Sequence, residues 1–171
     1  CFGLTEVGHG SNARDIKTTA TYDHKTREFV LHSPDTESYK IWIGGAGQTA
    51  NIGIMFAQLI INGEKKGVTA FIANLRDKET HEPYPGIIIG DCGSKVGLNG
   101  VDNGFIAFDN YRIPYDNMLD RYLQINEKGE FISQIKNADK RFGISLGALS
   151  NGRIQICTTA NVSFSIVLSL L

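Results

Sequence analysis

Apolar and polar residues alternate along the N-terminal part of the chain, in the way that half-buried strands do. Between Asp15 and Tyr22 the series Ile-Thr-Ala-Tyr alternates with Lys-Thr-Thr, and this period of two is typical of a strand with two unlike faces. A charged turn at 23–27 separates this strand from a returning one at 28–32. The region therefore predicts a β-hairpin.

Further short apolar runs follow, separated by glycine and proline. The run 51–61 ends at Asn62-Gly63, the strongest hairpin signal in the chain, and 67–75 can return antiparallel to it. Segments 86–90 and 103–108 predict two more strands. Short strands at this spacing, with turn residues between them, indicate an antiparallel sandwich or barrel.

The pattern changes after Pro114. Residues 115–122 are consistent with a short helix or a loop, and 124–136 show no clear periodicity. From Phe142 the apolar spacing becomes helical and continues to the end of the chain. The last stretch, 161–171, is apolar but shorter than the roughly twenty residues that span a bilayer. We expect it to be a helix that lacks its partner and promotes self-association.

Composition narrows the classes of function. A formal net charge of −1 argues against a nucleic-acid-binding or polybasic membrane-binding role. Cys1, Cys92 and Cys157 lie far apart with no Cys-x-x-Cys, which predicts neither a metal site nor a disulfide framework and suits a reducing compartment. No secretory signal or peroxisomal Ser-Lys-Leu address is present. Because the chain opens within a predicted strand, we expect it to be a piece of a longer protein.

The first candidate for chemistry is the glycine-rich stretch 1–12. Gly8 and Gly10 bracket a turn, where glycine lets a ligand approach the main chain closely. Thr5 and Ser11 bring hydroxyl groups to the same turn, and successive N–H groups there can bind an anion. The alternative is an ordinary turn between strands. A Rossmann fingerprint is excluded because the third glycine is missing and no helical pattern follows.

A second stretch, 40–47, also runs a strand-like segment into glycines and carries the only tryptophan, Trp42. Two such strand ends could line opposite sides of a planar ring. Taken by itself, Trp42 is better explained as a core aromatic residue that fills the barrel. His9 lies in the first glycine turn, where a solvated histidine is commoner than a functional one. Asp102 and Asn103 suggest a turn.

Four segments, in this order, resemble the middle domain of the acyl-CoA oxidase and dehydrogenase flavoenzymes: CFGLTEVGHGSN, KIWIGGAG, THEPYPGIIIGDCGSKVGLNGVDNGFIAFDNYRIPYDNML and KRFGISLGALSNGRI. The resemblance covers residues 1 to about 156. The Gly-His-Gly-Ser-Asn loop and the run 100–104 favour the oxidase branch. The last of the four segments is similar to the peroxisomal oxidases that accept branched-chain (pristanoyl) acyl-CoA.

The resemblance implies a mainly β fold, a small antiparallel β-barrel of two packed sheets followed by the start of a C-terminal α-helical domain. It divides the chain into a middle β-barrel domain at 1–115, a connecting segment at 116–140 and a truncated first helix at 141–171. It also implies FAD as cofactor, acyl-CoA and O2 as reactants, a peroxisomal location, and a homodimer for the full-length protein.

The resemblance further implies a set of cofactor-binding residues: Leu4, Thr5, Ser11, Trp42, Ile43 and Gly44. The hydroxyl and backbone of Thr5 are expected to contact the flavin, with Phe2 and Leu4 on the same strand. Trp42 and Ile43 are expected to pack on the isoalloxazine ring, and the backbone of Gly44 to contact it. Ser11 is expected at the cofactor pyrophosphate or the acyl-CoA, so it is also the predicted substrate-binding residue.

No catalytic residue is expected within this chain. The resemblance places the glutamate that removes the α-proton in the helical domain beyond residue 171, so Glu6 is not expected to act as the base. The isolated chain is therefore predicted to be inactive. The alternatives are a fragment of an acyl-CoA dehydrogenase and a non-catalytic β-barrel binding module. Dehydrogenases generally carry Thr where this chain has Gly44, and we expect the space at Gly44-Gly45 to ease access of O2.

Overall fold

Eleven strands form three sheets within residues 1–147 and 149–170, the part of the chain that the computed structural model describes. The strands are β1 Phe2–Gly3, β2 Thr19–Asp23, β3 Glu28–His32, β4 Lys40–Gly44, β5 Ile52–Ile61, β6 Glu64–Asn74, β7 Ile87–Asp91, β8 Asn103–Phe108, β9 Tyr111–Pro114, β10 Leu123–Ile125 and β11 Phe131–Ser133.

Strand β5 organises the largest sheet. It pairs antiparallel with β6 along its whole length, through the turn at Asn62-Gly63, and both of these residues have positive φ. Its other edge pairs parallel with β1 and then with β2, and the sheet continues through β3 to β9. The hairpins β2–β3 and β5–β6 confirm the predictions from alternation and from the Asn-Gly turn.

A second sheet has the antiparallel order β4-β8-β7. The side chains between the two sheets form one continuous core, and its largest fully buried members include Phe29, Phe71, Phe108, Met55 and Ile106. This arrangement confirms the predicted mainly β fold followed by helices. The predicted antiparallel pairing holds for most ladders, but β1 and β2 run parallel to β5.

Two strand regions were not predicted. Strand β9 pairs with β3 and forms the edge of the main sheet, where Pro114 can end a ladder without losing a central hydrogen bond. Within the segment 124–136, β10 and β11 form a small hairpin with Gly129 at φ 78°. Both elements are too short for periodicity to reveal.

Two helices follow, α1 Ala138–Ser145 and α2 Leu149–Ser169. The Asn137 side chain caps α1 by accepting a 2.9 Å hydrogen bond from the backbone N–H of Lys140. The prediction of a single helix from Phe142 is therefore wrong in two respects: the first helix begins earlier, at Ala138, and it ends before α2 begins. None of the residues described in α2 is buried. Among the described residues, neither helix combines the length and apolar character needed to span a membrane. The domain division remains a prediction.

Candidate functional site

The two glycine-rich stretches lie side by side. The backbone N–H of Val7 donates to the carbonyl of Tyr39 at 3.0 Å, and that of Ile41 donates to the carbonyl of Thr5 at 3.0 Å. Residues 5–7 thus run antiparallel to the start of β4, beyond the short strand β1. The expectation that the stretches line opposite sides of a ring is wrong, because these hydrogen bonds join them into one continuous surface. We call residues 1–12 together with β4 the cleft wall.

A cleft of about 680 Å³ opens on the cleft wall. The wall contributes Phe2, Leu4, Thr5, Gly10, Ser11, Trp42 and Ile43 to its lining. The structure therefore brings together five of the six predicted cofactor-binding residues, Leu4, Thr5, Ser11, Trp42 and Ile43. The sixth, Gly44, follows Ile43 at the end of β4 and is exposed, but it is not part of the lining.

The helices supply the other side of this cleft. Phe142 and Leu146 come from the end of α1 and the residue after it, and Leu149 and Arg153 come from the start of α2. Sequence reasoning did not assign any of these four residues to the site. Their helical spacing was visible, but which helix face meets the cleft wall depends on the break between α1 and α2.

Trp42 has an unusual backbone and an exposed ring. Its φ is 61°, in the left-handed region, and 58% of its surface is exposed. Pairing with β8 shifts register between Lys40 and Ile43, so β4 holds an extra residue at this point. A bulky residue in this conformation costs about 1–3 kcal/mol and persists only when its surroundings impose it. The exposure of the ring rules out the alternative that Trp42 is a core aromatic residue.

Ile43 and the neighbouring glycines have different surroundings. Ile43 is 3% exposed and belongs to the main core, so it reaches the cleft with only a small part of its side chain. A Cβ added at Gly44 or at Gly10 would meet nothing within 4 Å. Open space at these two positions allows a flat ligand to approach the backbone closely.

A buried ion pair lies within the cleft wall. Lys40 Nζ is 2.9 Å from Glu6 Oε1 and donates to the carbonyl of Leu4 at 3.2 Å, and both charged side chains have no exposed surface. Glu6 also accepts hydrogen bonds from the backbone N–H groups of Lys17, at 2.7 Å, and Thr18, at 3.0 Å. With these contacts Glu6 is held as a structural anion, consistent with the expectation that it is not the base.

Burial dominates the electrostatics of Lys40. Loss of hydration lowers the pKa of Lys40 to about 8, while the charge and the hydrogen bond of Glu6 oppose this decrease. His9 lies on the other side of the same carboxylate, with Nδ1 3.4 Å from Glu6 Oε2. His9 therefore faces the inside of the glycine turn with this nitrogen. Its side chain is only 16% exposed, unlike the solvated histidine that is commoner in loops.

The lining of the cleft combines two kinds of groups. The exposed indole of Trp42, with Leu4 and Thr5, suits a flat, mostly apolar ring with a polar edge. Ser11, Arg14 and Arg153 also line the cleft, and a hydroxyl and cations suit a phosphate group, with Arg14 Nε also 3.2 Å from the carboxylate of Asp139. A cofactor with an aromatic ring system and a pyrophosphate, as FAD has, fits this donor set.

No metal site is apparent in the same region. Within residues 1–147 and 149–170, no group of three or more His, Cys, Asp or Glu side chains is arranged to hold a metal ion.

Comparisons with known proteins agree with this geometry. Residues 1–111 match the family described as acyl-CoA dehydrogenase, middle domain. The chain is 49% identical over 170 residues to the peroxisomal acyl-coenzyme A oxidase 3 of Arabidopsis thaliana and 43% identical over 171 residues to the human peroxisomal acyl-coenzyme A oxidase 3. Each alignment covers 99% of this chain, which spans about a quarter of the length of these relatives, 25% and 24%.

Solved structures give the same result. The acyl-CoA oxidase 1 of Yarrowia lipolytica superposes with a TM-score of 0.82 at 42% identity, covering 90% of this chain and 22% of its own. The acyl-CoA oxidase-1 of Caenorhabditis elegans, solved in complex with FAD and ATP, gives 0.75 at 45% identity, covering 77% and 20%. The chain therefore belongs to the acyl-CoA dehydrogenase middle-domain family.

Proposed function

We propose that this chain is the flavin- and acyl-CoA-binding middle domain of a peroxisomal acyl-CoA oxidase. The observation that carries the proposal is the convergence of Thr5, Ser11 and Trp42 on one cleft. The peroxisomal location and the use of acyl-CoA and O2 are supported by the names of the relatives. For the whole protein we propose a homodimer, as the resemblance implies.

FAD, when bound, would supply the acceptor for the hydride that leaves the β-carbon of acyl-CoA, and loss of the α-proton to a base outside this chain would complete the trans-2-enoyl-CoA. The two electrons would then pass to O2, which takes up two protons to give H2O2. The residues of this chain bind and orient. Thr5 would offer a hydroxyl to the polar edge of the ring, and the indole of Trp42 would pack on the ring. Ser11, Arg14 and Arg153, which line the same cleft, would hold the phosphate-bearing part of the cofactor or of the acyl-CoA.

We assign no proton-abstracting role to any residue in this chain. The carboxylate of Glu6, which is the acidic side chain within the cleft wall, is buried and already accepts hydrogen bonds from Lys17, Thr18 and Lys40. A base must reach the proton that it removes. We therefore propose that the chain binds flavin but turns over only as part of a longer protein that supplies the glutamate.

The oxidase assignment is favoured over the dehydrogenase alternative at Gly44. A Cβ there would extend into open space, so the gap beside the proposed ring position is accessible from solvent. In a longer, active form of the protein, Gly44→Thr is expected to lower the H2O2 yield while the reduction of flavin by acyl-CoA continues. An unchanged yield of H2O2 would overturn the role given to Gly44.

Flavin binding is tested first on the chain as it stands. The purified chain is titrated with FAD while quenching of the fluorescence of Trp42, its only tryptophan, is recorded. Saturable quenching that is weakened by Thr5→Val supports the proposed cradle. A chain that folds but shows no quenching supports the non-catalytic module instead.

Activity is tested by oxygen consumption with acyl-CoA substrates, for this chain and for a form extended through the helical domain. Activity in the extended form alone is the expected result. Activity in the short chain would contradict the placement of the base outside it.

A further inference from the structure

The cleft wall contains a strained residue whose conformation requires an explanation. Trp42 has φ 61°, yet it lies inside strand β4, where its neighbours pair with β8. The ladder pairs Lys40 with Ile106 and Ile43 with Gly104, which leaves one more residue on β4 than on β8 between these two pairs. The extra residue is accommodated by the left-handed turn of the backbone at Trp42.

Both ends of this bulge are anchored. After it, the backbone N–H of Gly45 donates to the carbonyl of Asp102 at 2.9 Å. Before it, the side chain of Lys40 reaches underneath residues 4–6 and bonds the carbonyl of Leu4 and the carboxylate of Glu6. The first anchor is an ordinary backbone contact, whereas the second places two charges where neither has exposed surface.

Glu6 extends the anchor to the main sheet. Its carboxylate accepts from the backbone of Lys17 and Thr18, at the entrance to β2, and β2 pairs with both β3 and β5. The ion pair thereby links the start of β4 to the largest sheet, and it adds to the backbone hydrogen bond that already joins Ile41 to Thr5. Glu6 and Lys40 are 34 positions apart in sequence.

We propose that the Glu6–Lys40 ion pair is a positioning device that holds Trp42 in its left-handed conformation and so sets the spacing between Thr5 and the indole ring. Lys40 and Glu6 do not touch the ligand in this arrangement. They act through the backbone that precedes Trp42, while the hydrogen bond from Gly45 to Asp102 holds the backbone that follows it. The expected effect on FAD binding rests on the proposed flavin site. The effect of the ion pair on the conformation of Trp42 does not.

The test uses the double variant Glu6→Gln/Lys40→Met in the whole chain. The amide oxygen of the new glutamine can still accept from Thr18, although its NH2 group replaces the oxygen that accepts from Lys17. The new methionine fills a volume similar to that of the lysine without its charge. Because no buried ion is left unpaired, the loss of stability is expected to be small compared with removal of either charge alone. Because Trp42 is the only tryptophan, the emission maximum and the anisotropy of tryptophan fluorescence report on this residue alone. The near-ultraviolet circular dichroism reports mainly on it.

The expected result is a shifted emission maximum and a lower anisotropy for Trp42, with little change in melting temperature. The dissociation constant for FAD, measured by Trp42 quenching, is expected to rise about tenfold, as when a supporting shell is lost at other binding sites. A double variant with the wild-type spectrum of Trp42 and the wild-type dissociation constant would overturn the proposal, because the pair would then contribute only to stability.

Ile61→Ala is the matched control. Ile61 is fully buried at the far end of β5, so this variant loses stability without touching the cleft wall, and its Trp42 spectrum is expected to stay unchanged. If the double variant fails to fold, Glu6→Gln/Lys40→Leu takes its place, since it also removes both charges and leaves no buried ion unpaired. An unchanged Trp42 spectrum in that variant would then overturn the proposal.

The two proposals fail in different ways. If the wild-type chain shows no quenching by FAD, the proposed flavin site is wrong, and the spectra of Trp42 without ligand still decide whether the ion pair positions it.

Discussion

The cleft wall and the edge of the main sheet at β9 both join strands through ion pairs, but in opposite environments. In the cleft wall, Glu6 and Lys40 are fully buried and lie next to a strained backbone. At the sheet edge, Arg112 Nη1 lies 3.1 Å from Asp23 Oδ2 and 3.0 Å from Glu28 Oε2, and all three side chains are partly exposed. The regular ladder between β3 and β9 runs through Arg112.

The difference shows what burial does to an ion pair. Exposed charges keep most of their hydration, so they can separate at little cost and do not constrain the backbone. Buried charges have lost their hydration, so separating them is expensive and the surrounding chain must keep them together. The cleft wall therefore has a defined geometry at Trp42, whereas the sheet edge depends on its backbone hydrogen bonds.

Removing one buried charge gives the largest expected effect. Lys40→Met leaves the carboxylate of Glu6 buried without a cation, and we expect a loss of about 3–5 kcal/mol in the free energy of unfolding. Urea denaturation measures this loss, with Glu6→Gln/Lys40→Met as the control that regains most of it. A loss below about 1 kcal/mol would mean that the pair behaves like a surface pair.

The pH dependence of stability sharpens the comparison. The pKa of Lys40 is lowered from its ordinary value of 10.5 to about 8 in the folded chain, mainly by burial. Between about pH 8 and about pH 10.5 the unfolded chain therefore holds this proton and the folded chain does not, so the contribution of Lys40 to the free energy of unfolding rises with pH. Below about pH 8 both states hold the proton, so the cost of burying the charged lysine is fully present and Lys40 gives the stability no dependence on pH.

Denaturation of the wild type and of Glu6→Gln/Lys40→Met from about pH 8 to about pH 10.5 measures the effect, because Lys40 is the group that titrates in this range and differs between the two chains. The difference in stability between the two chains is expected to change in favour of the wild type as the pH rises. A difference that is constant with pH would contradict the lowered pKa.

Gly44 and Gly45, at the end of β4, test whether the requirement for a left-handed backbone is confined to one position. Gly45 has φ 79°, and a Cβ there would lie 3.3 Å from Thr49 Oγ1, so Gly45→Ala is expected to lose about 1–2 kcal/mol. Gly44→Ala is the matched control, because its Cβ would enter open space and its stability should be close to that of the wild type. Thermal unfolding of the two variants measures the loss of stability in each. Equal losses would contradict the expected order and would mean that the backbone readjusts around the substitution at Gly45.

The smallest effect is expected at the sheet edge. Arg112→Gln removes the exposed cation between Asp23 and Glu28 while the backbone pairing of β9 with β3 remains. We expect no measurable change in the denaturation midpoint at physiological salt. A loss comparable to that of Lys40→Met would remove the distinction between the two regions.

Local sequence patterns were sufficient for several parts of the fold and the site. The hairpins β2–β3 and β5–β6 follow from alternation and from the Asn-Gly turn, since both signals act between residues that are close along the chain. The glycine-rich motifs identified the family and five of the residues that line the cleft, but not the four that the helices contribute. The small hairpin β10–β11 and the break between α1 and α2 gave no comparable signal, because both elements are short.

Other features required contacts between distant residues. The parallel neighbours of β5, the antiparallel contact of residues 5–7 with β4 and the outward position of Trp42 all depend on how separate strands meet. The sequence contains Glu6 and Lys40 as two unremarkable charged residues. Only the packed fold removes both from water and places them 2.9 Å apart, because desolvation and pairing arise from the surroundings of a side chain rather than from its identity.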